Sequence, residues 1–500
     1  MTTPDRTDLD VLIVGAGPAG MACAAALLES TDLVVGIVDA GHEVGGQYWR
    51  QPAPTSGAGG IRPDAQRYLH HDLDTYAALR ATLDQGRGTG RFSLWAAHHV
   101  WSVSAQPVSA QPAGTQRVGS TEGGYAAHAV ERARVGRGRG VTLTARALVI
   151  ATGAYDRSLP FPGWDLPGVM TAGALQALLK ANDVIAGQRV AVGGTGPFLL
   201  PVAAGLARRG ATVVGVFEAN RPTTWLRELR PVRRNAGKLG EGAGYAATLL
   251  RHRVPVRTGR MIIAAHGTDR VEAVSVARLD AAGHPVVGTT ERVGVDAVGV
   301  GWGFTPQLDL ALTLGVGLTG DVDGAQVVAV DHVQRTSRAR VYAAGETCGI
   351  GGASLAVIEG RLAAHGVALD LVGRADVFVE GPLQLAAERL RGFAGAMQRA
   401  HPTPAGWADV LTPDTTVCRC EEVDAGAVLA AIRDRGASDA RQVKQLTRAG
   451  MGWCQGRVCG YASSLLSCGA PGEAIERLIS APVPLGVVAA ETDPHPNSAM

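Results

Sequence analysis

Two stretches of the chain show the same order of apolar and polar positions. Each has an apolar run, a glycine-containing turn, a helix-forming segment and a second apolar run. The first stretch places its apolar runs at residues 11–14 and 33–38, around a helical segment at 21–28, and the second places them at 189–192 and 211–217. Short runs that are apolar throughout are typical of parallel strands covered by helices on both faces. The pattern therefore predicts an α/β fold built on two parallel sheets.

The first turn has the spacing of a dinucleotide-binding turn. It reads GAGPAG and contains, besides Ala16, the residues Gly15, Gly17, Pro18, Ala19 and Gly20. We expect Gly15 to permit the tight turn, Gly17 to let the backbone approach a pyrophosphate, and Gly20 to let the helix pack against the strand. The helix N-terminus offers free N–H groups to the phosphates. Asp39 ends the second apolar run, where its carboxylate can accept hydrogen bonds from a ribose diol.

The second turn is less complete. Gly194 and Gly196 occupy the first two glycine positions, and Glu218 ends the following apolar run, where an acid favours NAD over NADP. However, the bulky Leu199 occupies the third glycine position, and Pro197 removes an N–H group at the start of the helix. A second Rossmann-like domain is therefore predicted, while binding of NAD(H), of another nucleotide or of no ligand remains open.

Near the C-terminus, four cysteines form two close pairs. Cys418 and Cys420 make a C-x-C pair, and Cys454 and Cys459 make a C-x4-C pair. Iron–sulfur clusters are bound by cysteine thiolates, usually four for a [2Fe–2S] cluster. Structural zinc is the competing interpretation, but zinc ribbons usually use C-x2-4-C pairs. Apolar periodicity at residues 425–435 and 439–446 predicts helices between the pairs, and hence a small, mostly helical cluster domain.

Composition narrows the classes of function. The 500 residues carry a net charge of +2 and only 5% aromatics, which argues against a nucleic-acid groove. No apolar run is long enough to span a bilayer, and the N-terminus lacks the pattern of a secretory signal. We therefore expect a cytoplasmic protein, for which peripheral membrane contact stays open. None of the 13 histidines lies in a recognisable motif, so no catalytic residue is assigned.

Three further segments resemble the two-dinucleotide-domain flavoproteins of the glutathione-reductase-like family. A paired-glycine segment follows Asp39, an ATG segment ends the apolar run at 148–150, and a "GD"-like segment, with glutamate in place of aspartate, follows residue 344. The resemblance implies that these segments contact FAD and that the acid of the last one holds the ribityl chain. The residues matched in this way are Gly46, Gln47, Thr152, Gly153, Gly345 and Glu346.

The chain departs from that family in its cysteines. Disulfide oxidoreductases of this type need a close cysteine pair beside the flavin, but residues 1–410 contain only Cys23 and Cys348. The segments around the C-terminal pairs, CRCEEV and GMGWCQGRVCG, resemble the bacterioferritin-associated-ferredoxin-like [2Fe–2S] domain. The resemblance implies that electrons use this cluster instead of a disulfide.

The motifs also give predicted domain boundaries. We expect a discontinuous FAD-binding domain at residues 1–155 and 290–370, with an NAD(P)-binding-like domain inserted at 156–289. A helical segment and linker at 371–412 should lead to the cluster domain at 413–475, followed by a loose tail at 476–500. The Pro/Gly-rich stretch at 52–63 is predicted to be a loop, and the tract at 106–124 a hairpin insertion.

Together, these motifs are similar to the larger subunit of the opine oxidase, hydrogen cyanide synthase and D-hydroxyproline or proline dehydrogenase group. The GGQYWR segment at 45–50 and the cluster segments both fit this group. In that group a D-amino-acid-oxidase-like FAD subunit oxidises the C–N bond, and a small ferredoxin-like [2Fe–2S] subunit is often present. The resemblance implies an electron-transfer subunit. Two alternatives remain: a self-contained NADH-dependent acceptor reductase, and a nucleotide-stabilised scaffold without catalytic activity.

Overall fold

The computed structural model describes residues 7–52, 69–106, 123–131, 139–373, 380–472, 477 and 479–492. The predicted loop at 52–63 and most of the predicted hairpin insertion at 106–124 lie outside these residues. No helix in the described part of the chain is long and apolar enough to cross a bilayer.

The strands follow one another along most of the chain. They are β1 (Asp8–Val14), β2 (Val35–Val38), β3 (Phe92–Trp95), β4 (His98–Gln106), β5 (Gly124–Glu131), β6 (Gly140–Ile150), β7 (Ala154–Asp156), β8 (Val169–Thr171), β9 (Arg189–Gly194), β10 (Thr212–Glu218), β11 (Val256–Thr258), β12 (Arg260–His266), β13 (Ala273–Arg278), β14 (Glu291–Gly294), β15 (Ala297–Gly301), β16 (Phe304–Pro306), β17 (Leu318–Gly320), β18 (Gln326–Val328), β19 (Val341–Ala343), β20 (Thr416–Cys418) and β21 (Val423–Asp424).

The helices become denser toward the C-terminus. They are α1 (Pro18–Ser30), α2 (Leu73–Gly88), α3 (Ala172–Asn182), α4 (Leu199–Arg208), α5 (Leu229–Arg233), α6 (Ala236–Arg251), α7 (Asp309–Thr313), α8 (Ala353–Val372), α9 (Glu380–Ala400), α10 (Ala425–Arg435), α11 (Ala440–Thr447), α12 (Gly460–Cys468) and α13 (Leu485–Thr492), with 3-10 turns at Pro222–Arg227, Glu346–Cys348 and Ala405–Val410.

The first sheet has the strand order β3-β2-β1-β6-β5-β4, and β19 also pairs with β6. Strands β1, β2, β3, β6 and β19 run parallel, while β4 and β5 add an antiparallel edge. Helix α1 is buried on nearly all sides, because it packs between this sheet and α8. A Cβ atom at Gly360 of α8 would lie 2.2 Å from the Ala19 carbonyl oxygen, so the two helix backbones approach closely. This contact joins the first nucleotide turn to the C-terminal part of the same domain.

The second sheet, β11-β10-β9-β15-β8, is parallel throughout. Helices α3 and α4 cover one face through a core that includes Leu175, Leu179 and Val202. The other face packs on the antiparallel sheet β12-β13-β14 through residues such as Ile262 and Val274. Two parallel sheets covered in this way confirm the predicted α/β class.

The C-terminal cysteines lie in a small unit formed by the β20–β21 hairpin and helices α10 to α12. Asp424 and Asp439 cap the N-termini of α10 and α11, because their carboxylates accept hydrogen bonds from the backbone N–H groups of Ala427 and Gln442. The core of this unit is small and includes Val417, Val428 and Val443. A core of this size suits a domain that depends on a bound metal group for stability.

The end of the chain differs from the loose tail that we expected. Helix α13 forms, and its Val487 packs with Ala481 against Trp101 and Val130 of the first sheet. The backbone N–H of Ser480 donates to the Trp101 carbonyl oxygen, with an N···O distance of 2.8 Å. The apolar residues of this segment are too few to show a helical period, but they are enough to bind a preformed apolar edge.

Candidate functional site

The first nucleotide turn is tight at one glycine and open at another. Gly15 has a φ of 113°, and a Cβ atom there would lie 2.2 Å from the Ala151 carbonyl oxygen. A Cβ atom at Gly17 would meet nothing within 4 Å, and the same holds at Gly153, directly after β6. The turn therefore has open space above Gly17 and Gly153. This is the shape needed for the backbone to approach a pyrophosphate.

Asp39, at the end of β2, is tied to the same turn. Its carboxylate accepts hydrogen bonds from the backbone N–H groups of Ala16 and Gly41, both at 2.6 Å. Burial raises the pKa of this carboxyl, and the two N–H donors oppose that shift. Gly46 lies against Gly17, since a Cβ atom there would be 2.8 Å from the Gly17 Cα. The structure thus brings together the turn, the acid and the paired-glycine segment that were matched to FAD.

The predicted ribityl-binding segment begins directly after β19. Glu346 is buried there, and its pKa is raised to about 7, first by loss of solvation and then by the nearby Glu359. Glu359, on α8, accepts a hydrogen bond from the Gly345 N–H at 2.8 Å and forms an ion pair with Arg391 of α9 at 3.0 Å. Sequence reasoning missed Glu359 and Arg391. The only local signal was a glutamate inside an otherwise apolar helix.

The flavin side of the chain offers no reactive thiol pair. Cys23 and Cys348 are the only cysteines before residue 411. Burial raises the pKa of both thiols well above the ordinary value, which keeps them protonated and weakly nucleophilic. This arrangement fits an FAD domain that passes electrons by a route other than a disulfide.

The second nucleotide turn also forms. Gly194 and Gly196 both have positive φ values, and the Gly196 N–H donates to the Glu218 carboxylate at 2.8 Å. Leu199 begins α4 and is buried, and its side chain lies next to Gly301 of β15. The bulky residue at the third glycine position is therefore accommodated because the facing strand has a glycine.

The four C-terminal cysteines come together from two loops. Cys418 and Cys459 are buried, Cys420 is exposed and Cys454 is intermediate. Contact with Cys459, together with backbone N–H groups that include Gly450 at 3.4 Å, lowers the pKa of Cys418 to about 5. The same contact raises the pKa of Cys459. Cys420 likewise interacts with Cys454.

Two cysteine pairs suit a two-iron group better than a single ion. Within the described residues, no three Cys, His, Asp or Glu side chains converge on one metal position. A [2Fe–2S] cluster is held by four cysteines, so the sulfurs need not share one centre. Thiolate character at Cys418 and a nearby backbone donor are also what such a cluster requires. The quartet therefore fits the predicted cluster.

The cluster loops are attached to both nucleotide domains. Asp309 of α7 forms ion pairs with Arg457 and Arg477, each at 2.9 Å, and so holds the loop between Cys454 and Cys459 against the FAD domain. On the other side, the Trp164 indole N–H donates to the Thr416 carbonyl oxygen at 2.6 Å. Asp309 had no sequence signal, because its partners lie more than a hundred residues away along the chain.

Comparisons with known proteins agree with this assignment. Residues 9–360 match the family model of pyridine nucleotide-disulphide oxidoreductases, and residues 416–464 match the BFD-like [2Fe–2S] binding domain. The HcnB subunit of the hydrogen cyanide synthase of Pseudomonas aeruginosa is 30% identical over 92% of this chain and 93% of its own length. A subunit of the opine oxidase of Rhizobium meliloti (strain 1021) is 32% identical over 92% of both chains.

A solved structure supports the fold over almost the whole chain. The crystal structure of L-proline dehydrogenase from P. horikoshii superposes with a TM-score of 0.63 at 18% identity, covering 98% of this chain and 81% of that chain. The predicted fold, the predicted group and the cofactors FAD and [2Fe–2S] are thereby confirmed. The chain belongs to the pyridine nucleotide-disulphide oxidoreductase family and is a flavin- and iron–sulfur-dependent oxidoreductase subunit related to the opine oxidase and hydrogen cyanide synthase subunits.

Proposed function

We propose that this chain is the electron-transfer subunit of a hetero-oligomeric dehydrogenase or oxidase that acts on amino acids, imino acids or opines. Its electrons would come from a D-amino-acid-oxidase-like FAD subunit, and a small ferredoxin-like protein is a further candidate partner. The observation that carries the proposal is the attachment of the cysteine quartet to an FAD domain that has no thiol pair of its own. The relatives, which are named as subunits of larger enzymes, support it.

The residues of this chain would bind and position the two carriers. FAD and the cluster, when bound, supply two-electron and one-electron carriers respectively. Asp39, Gly17 and Gly153 would hold the nucleotide part of FAD, and Glu346 would bind its ribityl chain. Buried thiols at Cys418 and Cys459 would restrict solvent at one side of the cluster, while the exposed Cys420 leaves the other side open to an electron partner.

The test compares two cysteine variants in the complex with the D-amino-acid-oxidase-like partner. Cys454→Ser removes a proposed cluster ligand, and Cys468→Ser removes an exposed cysteine outside the quartet. We expect Cys454→Ser to lower donor-dependent dye reduction by about 10- to 100-fold. The donor should still bleach the flavin of the partner, and Cys468→Ser should behave like the wild type.

Two results would contradict the proposal. Unchanged dye reduction in Cys454→Ser, with the cluster absorbance lost, would favour a scaffold. Rapid bleaching of the flavin in the isolated chain by NADH would favour a self-contained reductase.

A further inference from the structure

The second nucleotide domain is contacted by a part of the chain outside its own sheet. His401 and Pro402 follow the end of α9 and lie over the turn after β9 and the end of β10. These are the two places where a dinucleotide would bind this domain, since the turn faces a pyrophosphate and the acid a ribose diol. We refer to His401 and Pro402 as the 401–402 turn.

Both backbone carbonyls of the 401–402 turn are bound by residues of the nucleotide site. The Thr195 hydroxyl donates to the His401 carbonyl oxygen at 3.2 Å. The Asn220 side-chain amide donates to the Pro402 carbonyl oxygen at 3.1 Å. Thr195 belongs to the glycine turn, and Asn220 follows Glu218, so the 401–402 turn bridges the two halves of the site.

The His401 ring completes the contact. The Trp225 indole N–H lies 3.1 Å from Nε2 of His401, and Nδ1 of His401 lies 3.4 Å from the Glu218 carboxylate. Because an indole N–H can only donate, Nε2 must accept, and the ring hydrogen is placed on Nδ1, facing Glu218. The His401 and Glu218 side chains are only 14% and 12% exposed, so little of the carboxylate is left to a ligand from solvent.

The first nucleotide domain provides an internal comparison. Asp39 accepts hydrogen bonds from the N–H groups of Ala16 and Gly41. Glu218 accepts the equivalent pair from Gly196 at 2.8 Å and Asn220 at 3.0 Å. The contact with His401 comes in addition to this shared pattern.

The 401–402 turn is also fixed on both sides. Arg399, two residues earlier, makes two hydrogen bonds of 2.8 Å to the Glu228 carboxylate. On the other side, the Gly406 N–H donates to the Gly283 carbonyl oxygen at 3.2 Å, and Trp407 is buried against Met261 and Trp302. The turn is therefore part of the path that leads from α9 to the cluster domain.

We infer that the 401–402 turn occupies the ribose subsite of the second dinucleotide domain and closes that domain to pyridine dinucleotides. The domain then serves as an anchor for the linker to the cluster domain. A dinucleotide could bind only after displacing His401 from Glu218 and the two carbonyls from Thr195 and Asn220. The inference is independent of the proposed partner and substrate.

The test measures NADH and ADP-ribose binding by titration calorimetry on the full chain with FAD and cluster bound. The wild type should show no saturable binding below millimolar ligand. The double variant His401→Gly with Pro402→Gly frees the turn and should bind ADP-ribose at least about tenfold more tightly, because the competing internal contact is lost. His284→Ala is the matched control, since it removes a different histidine–acid contact, to Asp409 at 2.6 Å on the same linker.

Saturable micromolar binding of either ligand to the wild type would overturn the inference without any variant. A double variant that retains its flavin and cluster absorbance but gains no affinity would also overturn it, because the turn would then not be what closes the site. A gain of affinity in His284→Ala equal to that in the double variant would show general loosening of the linker, and would overturn it as well.

Discussion

Gly15 and Gly17 are two residues apart in one turn, yet their surroundings differ. A side chain at Gly15 would collide with the backbone of Ala151, in a conformation with positive φ. A side chain at Gly17 would enter open space. Both roles were predicted from the spacing of the glycines, because this turn is a local structure whose geometry follows from its own sequence.

The two glycines should therefore respond differently to alanine. Gly17→Ala should leave the free energy of unfolding of the FAD-free chain nearly unchanged but weaken FAD binding by about tenfold or more, because the methyl group takes the space of the ligand. Gly15→Ala should destabilise the fold itself by about 2 kcal/mol or more. Urea unfolding and flavin fluorescence titration measure the two effects. Equal loss of stability in both variants would contradict this assignment.

Glu346 should make stability depend on pH. Its pKa is about 7 in the folded chain, against an ordinary value of 4.5, because burial disfavours the charged form. The folded state therefore binds a proton that the unfolded state releases, so this contribution is complete below pH 4.5 and is lost as the pH rises through 7. Urea unfolding of the FAD-free chain across this interval should show a smaller loss of stability in Glu346→Gln. Parallel pH profiles would contradict the prediction.

At the scale of elements, α8 and α9 hold the flavin segment through a pair of charges. Glu359 of α8 is 3% exposed and binds both Gly345 and Arg391 of α9. A buried carboxylate is costly unless it is paired, so the position of α9 depends on this contact. Arg391 was not predicted, because one arginine on a polar helix face has no distinguishing sequence pattern.

Arg391→Met should leave the Glu359 charge without its ion-pair partner. We expect a loss of about 2 kcal/mol in the free energy of unfolding, less than for a fully buried pair because Arg391 is partly exposed. Adding Glu359→Gln should restore part of this loss. Arg389→Met, on an exposed position of the same helix, is the control. Chemical denaturation measures all four proteins, and equal effects of the two arginine variants would contradict the account.

Local elements were largely predictable, but contacts distant in sequence were not. Helix α10 spans residues 425–435, as its periodicity predicts, because capping and apolar spacing are local properties. Helix α13 was missed, since its formation depends on docking against Trp101. The contact of His401 with Glu218 was also missed, because the two residues are separated by 183 positions and neither belongs to a motif that names the other.

At the scale of the whole molecule, the cluster domain is positioned by a few charged contacts. Asp309 is 11% exposed and binds two arginines, Arg457 beside the cluster ligands and Arg477 after α12. The sequence predicted that both carriers belong to one chain, but the contact that brings them together comes from the tertiary fold. Electron transfer between them depends on this contact, since it fixes the cluster loop on the FAD domain.

Asp309→Asn should loosen the cluster domain and leave FAD binding intact. The variant removes the negative charge between Arg457 and Arg477, for which we expect a loss of about 2–3 kcal/mol in the stability of that domain. Limited proteolysis should then cleave near the cluster domain sooner than in the wild type. Asp434→Asn, on the exposed face of α10, is the control. Identical cleavage rates in both variants and the wild type would contradict the role of Asp309.

The central claim is that electrons from an amine-oxidising partner reach a [2Fe–2S] cluster at Cys418, Cys420, Cys454 and Cys459. The most direct measurement is electron paramagnetic resonance of the anaerobic complex, frozen after mixing with an amino-acid, imino-acid or opine donor. The account predicts a reduced [2Fe–2S] signal in the wild type and in Cys468→Ser, and none in Cys454→Ser. An iron-replete wild-type complex whose partner flavin is bleached by the donor, but which shows no reduced cluster signal, would contradict it.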